Sequence, residues 1–559
     1  MARIILNGRE VEAEAGGNLL LAAMVHGVYI PHFCFHPALS TPAHCRLCLT
    51  QVEVEGQKAL TTACNAAVVD GMAVETETEA VASARADVLE FTLLNHPLDC
   101  AVCARAGECE LQDYVHAYGR DRSRFDDEKA VRGRRDLGAH VQLYAERCIH
   151  CSRCVRFCDE IAGTRELGVF QRGAQTCVDV HPKRQLNNRM SGNVTDICPV
   201  GALLDKEVNA RPPVWTMRGV DSICPGCSAG CNVRVDVHAD QVQRLKPRVN
   251  LDVNQYWMCD DGRYGWSYVH SPQRLPFPLV REEDRQVPVS WDEALAVAHN
   301  GLDRIRRING GAAIAVFLSA HHTNEENYLL ARLARDVWQS ERLALRLAVD
   351  PQGDVRFKSG FTIRAEKAPN GRGVREVAAG LDLSLVEGEE VWRDIEAGQI
   401  RGAYVLGGNP HEQLGEREKR ALEKLDVLVV QDLLHSDLTR LAHVVLAGAA
   451  FVEKDGTFTN ESGRVQRLRR AIPPRDGAQP DWRILQRLAA VAGRHWSQAD
   501  SGSVMEEMDR EVGGIFTGLD YAVLQAREAD RPRAGFPYGG GWAMRVQRAG
   551  FMAIEDHTK

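Results

Sequence analysis

The sequence is short of the features that would place it in most functional classes. No cysteine follows Cys259 through residue 559. All 17 cysteines therefore lie in the first part of the chain, which excludes a disulfide framework spread over the protein and favours reduced thiolates holding metal. The longest apolar stretch, around Leu19 to Ile30, is interrupted by His26 and Gly27, so no segment has the pattern of a membrane span. The first residues lack the basic, apolar and small-residue order of a secretory signal. The chain is thus expected in the cytoplasm, with any membrane link running through partners. A formal charge of -8 gives no pull toward nucleic acid, and no basic aromatic-rich stretch is present. No GxGxxG follows a strand, which leaves no dinucleotide site. At 559 residues the chain is too long for one core and should divide into about three to five domains.

What is present is a series of cysteine clusters. The central one is Cys148-Ile149-His150-Cys151-Ser152-Arg153-Cys154. Three thiolates so close together suit three corners of one iron–sulfur cube, whereas zinc sites are usually built from separated pairs. The fourth corner must come from elsewhere. Cys198 is favoured, because Cys198-Pro199 fixes the backbone where the chain leaves the site. Cys158 is the competitor, standing where a ferredoxin run places its fourth cysteine but followed by Asp159 instead of proline. Cys177, in a strand-like stretch, is expected to be a buried apolar filler.

Upstream, residues 2 to 15 alternate around the hairpin signal Asn7-Gly8, with Ile4, Leu6 and Val11 expected inward. A helix is expected from Asn18 to Val25. Cys34, Cys45, Cys48 and Cys64 follow with Cx10CxxCx15C spacing, a loop plus one later strand position that suits a two-iron cluster; zinc could use the same ligands. A helix expected over Glu79 to Asn95 stops at Pro97. There stand His96, Cys100, Cys103 and Cys109, as HxxxCxxCx5C. A histidine before proline is most often a cap or a packed side chain, but three thiolates behind it need a fourth ligand. Neutral imidazole in place of thiolate removes a negative charge and should raise the potential of that cube. The mixed charges from Arg120 to Arg135 are expected to form a solvated connection. A fourth group, Cys224, Cys227, Cys231 and Cys259, encloses a hairpin-like stretch from Asn232 to Arg248 and is again open to iron or zinc.

Beyond Ser290 the pattern changes to alternating helices and strands. Helices are expected over Trp291 to Ile308, Asn324 to Trp338 and Glu416 to Leu425, with strands over Ala312 to Ser319, Ala403 to Leu406 and Val427 to Val430. Such domains bind nucleotides or pterins at their strand C-ends, and Leu406-Gly407-Gly408-Asn409-Pro410 is a flexible loop at such a place, yet short glycine loops are common and an ordinary connection is the expectation over a ligand site.

The ordered set of four motifs resembles the large iron–sulfur subunit of bacterial NADH:quinone oxidoreductase, respiratory complex I. The resemblance rests on Pro31-His32-Phe33-Cys34-Phe35-His36-Pro37, Asn95-His96-Pro97, Cys154-Val155-Arg156-Phe157, Leu167-Gly168-Val169, Ser191-Gly192-Asn193 and Asp196-Ile197-Cys198-Pro199. It implies a multidomain α+β and α/β chain: a ferredoxin-like β-grasp [2Fe–2S] domain over 1–78, a His/Cys-ligated [4Fe–4S] domain over 79–119 and a second [4Fe–4S] domain over 120–214. A third [4Fe–4S] domain of molybdopterin-oxidoreductase type over 215–271 and a shortened molybdopterin-oxidoreductase-like α/β scaffold over 272–559 complete it. The family implies His96 as a ligand and Cys198 as the fourth ligand of the central cube. The Cys224–Cys259 site resembles the extra cube of some members. The C-terminal part resembles the molybdopterin oxidoreductase fold, most visibly from Ala449 to Gln466 (AAFVEKDGTFTNESGRVQ). Catalytic members usually place a cysteine, selenocysteine or serine metal ligand after their cube; with no later cysteine, no molybdopterin is expected here, although a serine ligand stays open.

The function so implied is electron transfer from the NADH-reduced flavin of a partner subunit toward quinone, with no complete active site on this chain. The expected location is the peripheral arm, on the cytoplasmic side of the inner membrane. Two alternatives stand beside it: the large subunit of an NAD-reducing formate dehydrogenase or hydrogenase, and a zinc-stabilised interaction scaffold without redox chemistry.

Overall fold

The computed structural model describes residues 1–208 and 211–529; the end of the expected 272–559 region lies outside them. Two compact units are formed, Met1–Met217 with Phe357–Phe361, and Arg218–Arg356 with the described chain from Thr362.

The first unit opens with the expected hairpin. Ala2–Leu6 pairs antiparallel with Arg9–Ala13, and Asn7 and Gly8 make the turn with φ of 47° and 75°. Ile4 and Leu6 are buried, while Val11 packs only at the edge of the core. Ala73–Glu75 adds parallel to the first strand, and the antiparallel pair Leu49–Val54 and Gln57–Thr62 completes a five-stranded mixed sheet. The helix Leu19–Val25 covers this sheet with Leu19, Leu20 and Ala23. Asn18 is its cap: Oδ1 accepts from Leu21 N at 3.1 Å while Nδ2 donates to the carbonyl of Cys64. One side chain thus starts the helix and anchors the Cys64 turn.

The next helix runs Glu79–Leu93, two residues short of Asn95. It lays Arg85 and Glu90 against its neighbours instead of a purely apolar face. The charged stretch after Arg120 is the solvated connection expected, exposed throughout residues 121–131, and it also lies as a strap across this helix. Arg124 Nε donates to Glu90 at 2.9 Å, Arg120 reaches Asp87 and Glu90, and Lys129 Nζ donates to the last helical carbonyls, Leu93 at 2.6 Å and Leu94 at 3.1 Å.

The second unit holds an antiparallel three-stranded sheet, Arg218–Ile223, Asn232–His238 and Gln241–Pro247, the middle and last strands being the expected hairpin. Its larger part is an eight-stranded sheet. Six strands run parallel in the spatial order Leu385–Val386, Arg342–Arg346, Ile314–Ser319, Gly402–Leu406, Val427–Asp432, Val444–Ala447, and the hairpin Leu279–Glu282 with Arg285–Pro288 closes one edge. Helices pack on both faces, and the central strands Ile314–Ser319, Gly402–Leu406, Val427–Asp432 and Val444–Ala447 are largely apolar because both faces are buried. The helix expected to reach Trp338 is α-helical only over Asn324–Leu333 and finishes as a π turn, Ala334–Trp338, which swings the Trp338 ring into the core.

Strand order reverses between Ile314–Ser319 and Gly402–Leu406, the place where such sheets open a crevice at their C-terminal ends. Here the crevice is filled by the chain. Ser319 Oγ donates to the Gly407 carbonyl at 2.6 Å, Gly408 N donates to Asp432 at 3.0 Å, and the His322 ring lies so close that a Cβ on Gly408 would stand 2.7 Å from it. The Gly407-Gly408 loop is therefore a close-packing element.

Beneath it lies a buried ionic network. Lys454 Nζ donates to Glu326 and Asp481, each at 2.9 Å, and all three side chains are within 3% of full burial. Glu326 also completes the capping box of the Asn324–Leu333 helix with Thr323. Burial opposes charge on Asp481, yet the Lys454 ammonium, His322 and Gln431 hold its carboxyl far below the usual range. His322, Glu326 and Asp481 could by spacing hold a cation, and the Lys454 ammonium already neutralises two of them. Replacing Lys454 by Met should leave two facing buried carboxylates and cost about 3–5 kcal/mol, read as a lower urea midpoint.

Candidate metal centres

Each cysteine group is carried on a short loop between regular elements, and left-handed residues bend those loops. Ala43 and Arg46, at φ of 52° and 58°, flank Cys45; His150 and Ser152, at 54° and 60°, alternate with the central cysteines; Gly107 and Gly230 do the same near Cys109 and Cys231. Residues in this conformation turn successive amides to one side of the loop. Amides two residues on donate to sulfur: His150 to Cys148 at 3.4 Å, and likewise Leu47 to Cys45, Arg105 to Cys103, Arg153 to Cys151, Gly226 to Cys224 and Ala229 to Cys227.

Cys34, Cys45, Cys48 and Cys64 come together. Cys34 touches Cys45 and Cys64, and Cys48 touches Cys64, so shared protons pull Cys34 and Cys48 down and push Cys45 and Cys64 up. Cys64 lies in a single helical turn, Ala63–Asn65, after the strand on which it was expected. That turn ends the strand and points the sulfur back to the loop.

At the second group Cys100 is exposed, Cys103 half-buried and Cys109 buried, with Cys103 feeling both of the others. His96 is buried, and Asp99 and Arg147 act on both His96 and Cys103. Burial first, then Arg147 and Lys129, keep the imidazole neutral by pushing its pKa down to about 4. The Arg147 backbone also acts on the ring, and Nδ1 is buried without a hydrogen-bond partner. A neutral imidazole with an unpartnered ring nitrogen is the donor form a metal takes. Gly201 supplies the facing wall; a Cβ there would stand 2.5 Å from Cys103 Sγ.

Cys148, Cys151, Cys154 and Cys198 line one cavity with apolar walls from Leu143, Ile149, Val178, Val200 and Leu203. Burial pushes the Cys148 and Cys151 thiols up to about 12 and Cys154 further, each raised again by its sulfur neighbours. Cys158 does not line this cavity. It sits in a π turn, Phe157–Ile161, and accepts from the amides of Glu166 and Leu167. Cys177 begins the strand Cys177–Val180 and is buried.

The second and third groups are joined through backbone. Buried Arg105 donates to the carbonyls of Thr195 at 2.9 Å and Cys198 at 2.9 Å, and Glu110 N donates to Pro199 O at 2.9 Å. Arg153, fully buried, bridges Glu110 at 3.1 Å and the Ile197 carbonyl at 3.2 Å. None of these arginines was singled out among the candidate residues in the sequence, because each finds its partners some 40 to 90 positions away.

Cys224, Cys227, Cys231 and Cys259 are all buried and mutually close. Cys224 N donates to Cys231 O at 2.9 Å, and the loop closes against Gly262, where a Cβ would stand 2.7 Å from Cys224 Sγ. Burial pushes Cys224 up to about 12. Packed thiols of this kind are costly as anions until a cation arrives, so the donor sets fit iron–sulfur groups.

Comparison with known proteins matches this order of sites. Residues 1–79 match the family described as 2Fe-2S iron-sulfur cluster binding domain, 85–124 the NADH-ubiquinone oxidoreductase-G iron-sulfur binding region, and 138–204 the NADH-quinone oxidoreductase subunit 3 ferredoxin-like domain. Residues 217–271 match the molybdopterin oxidoreductase Fe4S4 domain, and 274–368 and 356–491 match molybdopterin oxidoreductase. The NADH-ubiquinone oxidoreductase 78 kDa subunit of Candida albicans is 30% identical over 596 residues, covering 87% of this chain and 82% of that protein. The NADH dehydrogenase [ubiquinone] iron-sulfur protein 1 of Solanum tuberosum is 30% identical, covering 88% and 80%. A NADH-quinone oxidoreductase subunit of Rickettsia typhi is 33% identical, covering 68% and 56%. With relatives of this similarity aligned along most of both chains, the protein belongs to the family of the large iron–sulfur subunit of NADH:quinone oxidoreductase.

Proposed function

We propose that this chain is the multi-cluster electron carrier of an NADH:quinone oxidoreductase, working between a flavin-bearing, NADH-oxidising partner subunit and quinone. The proposed ligands are Cys34, Cys45, Cys48 and Cys64 for one [2Fe–2S] cluster. For three [4Fe–4S] clusters they are His96, Cys100, Cys103 and Cys109; Cys148, Cys151, Cys154 and Cys198; and Cys224, Cys227, Cys231 and Cys259. The observation that carries the reading is the set of four separate thiol groups, three of them largely buried, with His96 Nδ1 unpartnered in the other. Bound clusters supply one-electron carriage, which a flavin partner needs because NADH delivers electrons in pairs. The chain's own work is to exclude water from the sulfurs, to donate amides to them and to keep the His96 imidazole neutral. Each amide stabilises the more negative reduced form.

The domain limits proposed are 1–78, 79–119, 120–214, 215–271 and 272–559, the last as a scaffold without pterin. The filled crevice at Gly407-Gly408 and His322 supports that assignment. Among the described residues no helix is long and apolar enough to cross a membrane. We place the chain in the peripheral arm on the cytoplasmic side, held to the membrane by other subunits.

Anaerobically purified complex should hold about 14 irons on this chain, with matching sulfide, no molybdenum and no zinc, after subtraction of other subunits' iron. Stoichiometric molybdenum would instead indicate a formate dehydrogenase, and zinc in place of iron an inert scaffold. His96→Cys should lower the potential of one four-iron cluster in an EPR-monitored titration; an unmoved potential speaks against imidazole ligation. Gly201→Ala should remove that same cluster's EPR signal, and Gly262→Ala the signal of the Cys224–Cys259 cluster, each leaving the remaining signals in place.

A further inference from the structure

Arg156 lies at the end of the short helix Arg153–Arg156, which carries Cys154 of the central cysteines. Its guanidinium donates to the carbonyl of Cys34 and, at 3.4 Å, to the carbonyl of Cys151. The same fork donates to the Ser40 carbonyl, and Nε donates to Ser152 Oγ at 3.1 Å. One side chain therefore holds a sulfur-bearing residue from each of two groups, more than a hundred positions apart in sequence.

The charge of this side chain is not cancelled locally. Arg153, one turn earlier, has Glu110 at 3.1 Å. Arg156 faces only carbonyl and hydroxyl oxygens, and among the described residues no carboxylate lies within ion-pair distance of it. Glu160, on the following turn, acts on it from further off while accepting from Ser40 N at 2.8 Å and Ser40 Oγ. Another polar link between the two loops is His44 Nε2 with the His150 carbonyl at 3.1 Å. The junction is therefore a half-buried, uncompensated cation in contact with both loops. A guanidinium keeps its proton throughout the accessible pH range.

We propose that Arg156 is a positioning residue shared by the Cys34–Cys64 and Cys148–Cys198 centres, which sets their separation and raises both potentials together. This rests on the ligand assignment proposed above. Reduction adds one negative charge to a centre, and a nearby fixed cation stabilises that state at each. When an electron passes from one centre to the other, the first is oxidised and the second reduced by one electron, and Arg156 exchanges no proton. Because its charge favours the reduced form on both sides, it raises electron occupancy at the junction without tilting the step strongly either way. Arginine suits the position because its planar fork spans two carbonyls that a lysine ammonium cannot reach together.

The test is potentiometric EPR of the intact complex carrying Arg156→Gln, Arg156→Lys or Glu160→Gln, with iron per polypeptide measured on the same samples. In Arg156→Gln the reduced-to-oxidised ratio of both centres at the wild-type midpoint should fall about tenfold, which is 59 mV for a one-electron couple. Arg156→Lys, which keeps the charge, should restore most of this. Glu160→Gln should move both potentials upward, and it decides the sign independently should the glutamine variant lose a cluster. Wild-type iron with both potentials unmoved in Arg156→Gln and Glu160→Gln, a shift confined to one centre, or a lysine variant displaced as far as the glutamine variant would each overturn the proposal. Iron far below the expected content in the unmutated complex would instead overturn the ligand assignment on which it rests.

Discussion

The structure depends on the cost of placing many sulfurs together away from water. Burial first, and then neighbouring sulfur, pushes the Cys109, Cys148, Cys151 and Cys224 thiols up to about 12 and Cys154, Cys231 and Cys259 well above the usual thiol range. Thiolates in such sites need compensation, which the fold supplies in part. Amides converge from loops bent by left-handed residues, and arginines stand around the sites: Arg105 and Arg147 near Cys103, Arg153 near Cys151. The rest has to come from a bound cation. The same dry walls that make the empty set unfavourable as anions would protect a bound group from hydrolysis and oxygen, so the cost and the use have one origin.

That constraint explains why the loops are joined so densely. A site assembled from segments as distant as Cys148 and Cys198 holds its geometry only if both segments are pinned to something rigid. Arg105 fastens the Cys198 segment to the Cys103 loop, Arg153 fastens Ile197 to Glu110, and Asn18 fastens Cys64 to a helix start. Arg105 places its donors on the carbonyls of Thr195, Asp196 and Cys198, and Arg153 adds the Ile197 carbonyl to its Glu110 pair; backbone carbonyls are not altered by side-chain substitution. The pinning is therefore robust to sequence change at the residues being pinned.

Much of the site arrangement was legible because ligand spacing is local information. CxxC spacing, the hairpin signal at Asn7-Gly8 and the choice of Cys198-Pro199 over Cys158 each rest on a few consecutive residues, and the structure brings together the residues those patterns named. The parallel sheet was legible for a related reason, since strands buried on both faces are continuous apolar runs. What escaped was long-range. The stretch from Arg120 to Lys129 is solvated as its composition suggests, but its ion pairs with the carboxylates of the Glu79–Leu93 helix depend on the fold placing that helix beside it. The π turn at Ala334–Trp338 keeps helical periodicity to within a residue and is set by where the Trp338 ring can be buried. Cys64, expected on a strand, moves to the turn after it because the sulfur must face the Cys34 loop.

The second unit shows the opposite use of buried charge. At the crevice where a doubly wound sheet ordinarily receives a ligand, the chain places a lysine between two carboxylates, a histidine against a glycine loop, and Asp432 on the loop amide. Such a network gains little stability over an apolar filling, because desolvation consumes most of the ion-pair attraction. Its effect is to define one arrangement: Glu326 caps a helix and meets Lys454, Asp481 opens another helix and meets both Lys454 and His322, and no partner can move without exposing a buried charge. A crevice locked in this way is a filled, rigid element. Rigidity is also what a carrier needs, since electron transfer between fixed centres falls off with every increase in separation.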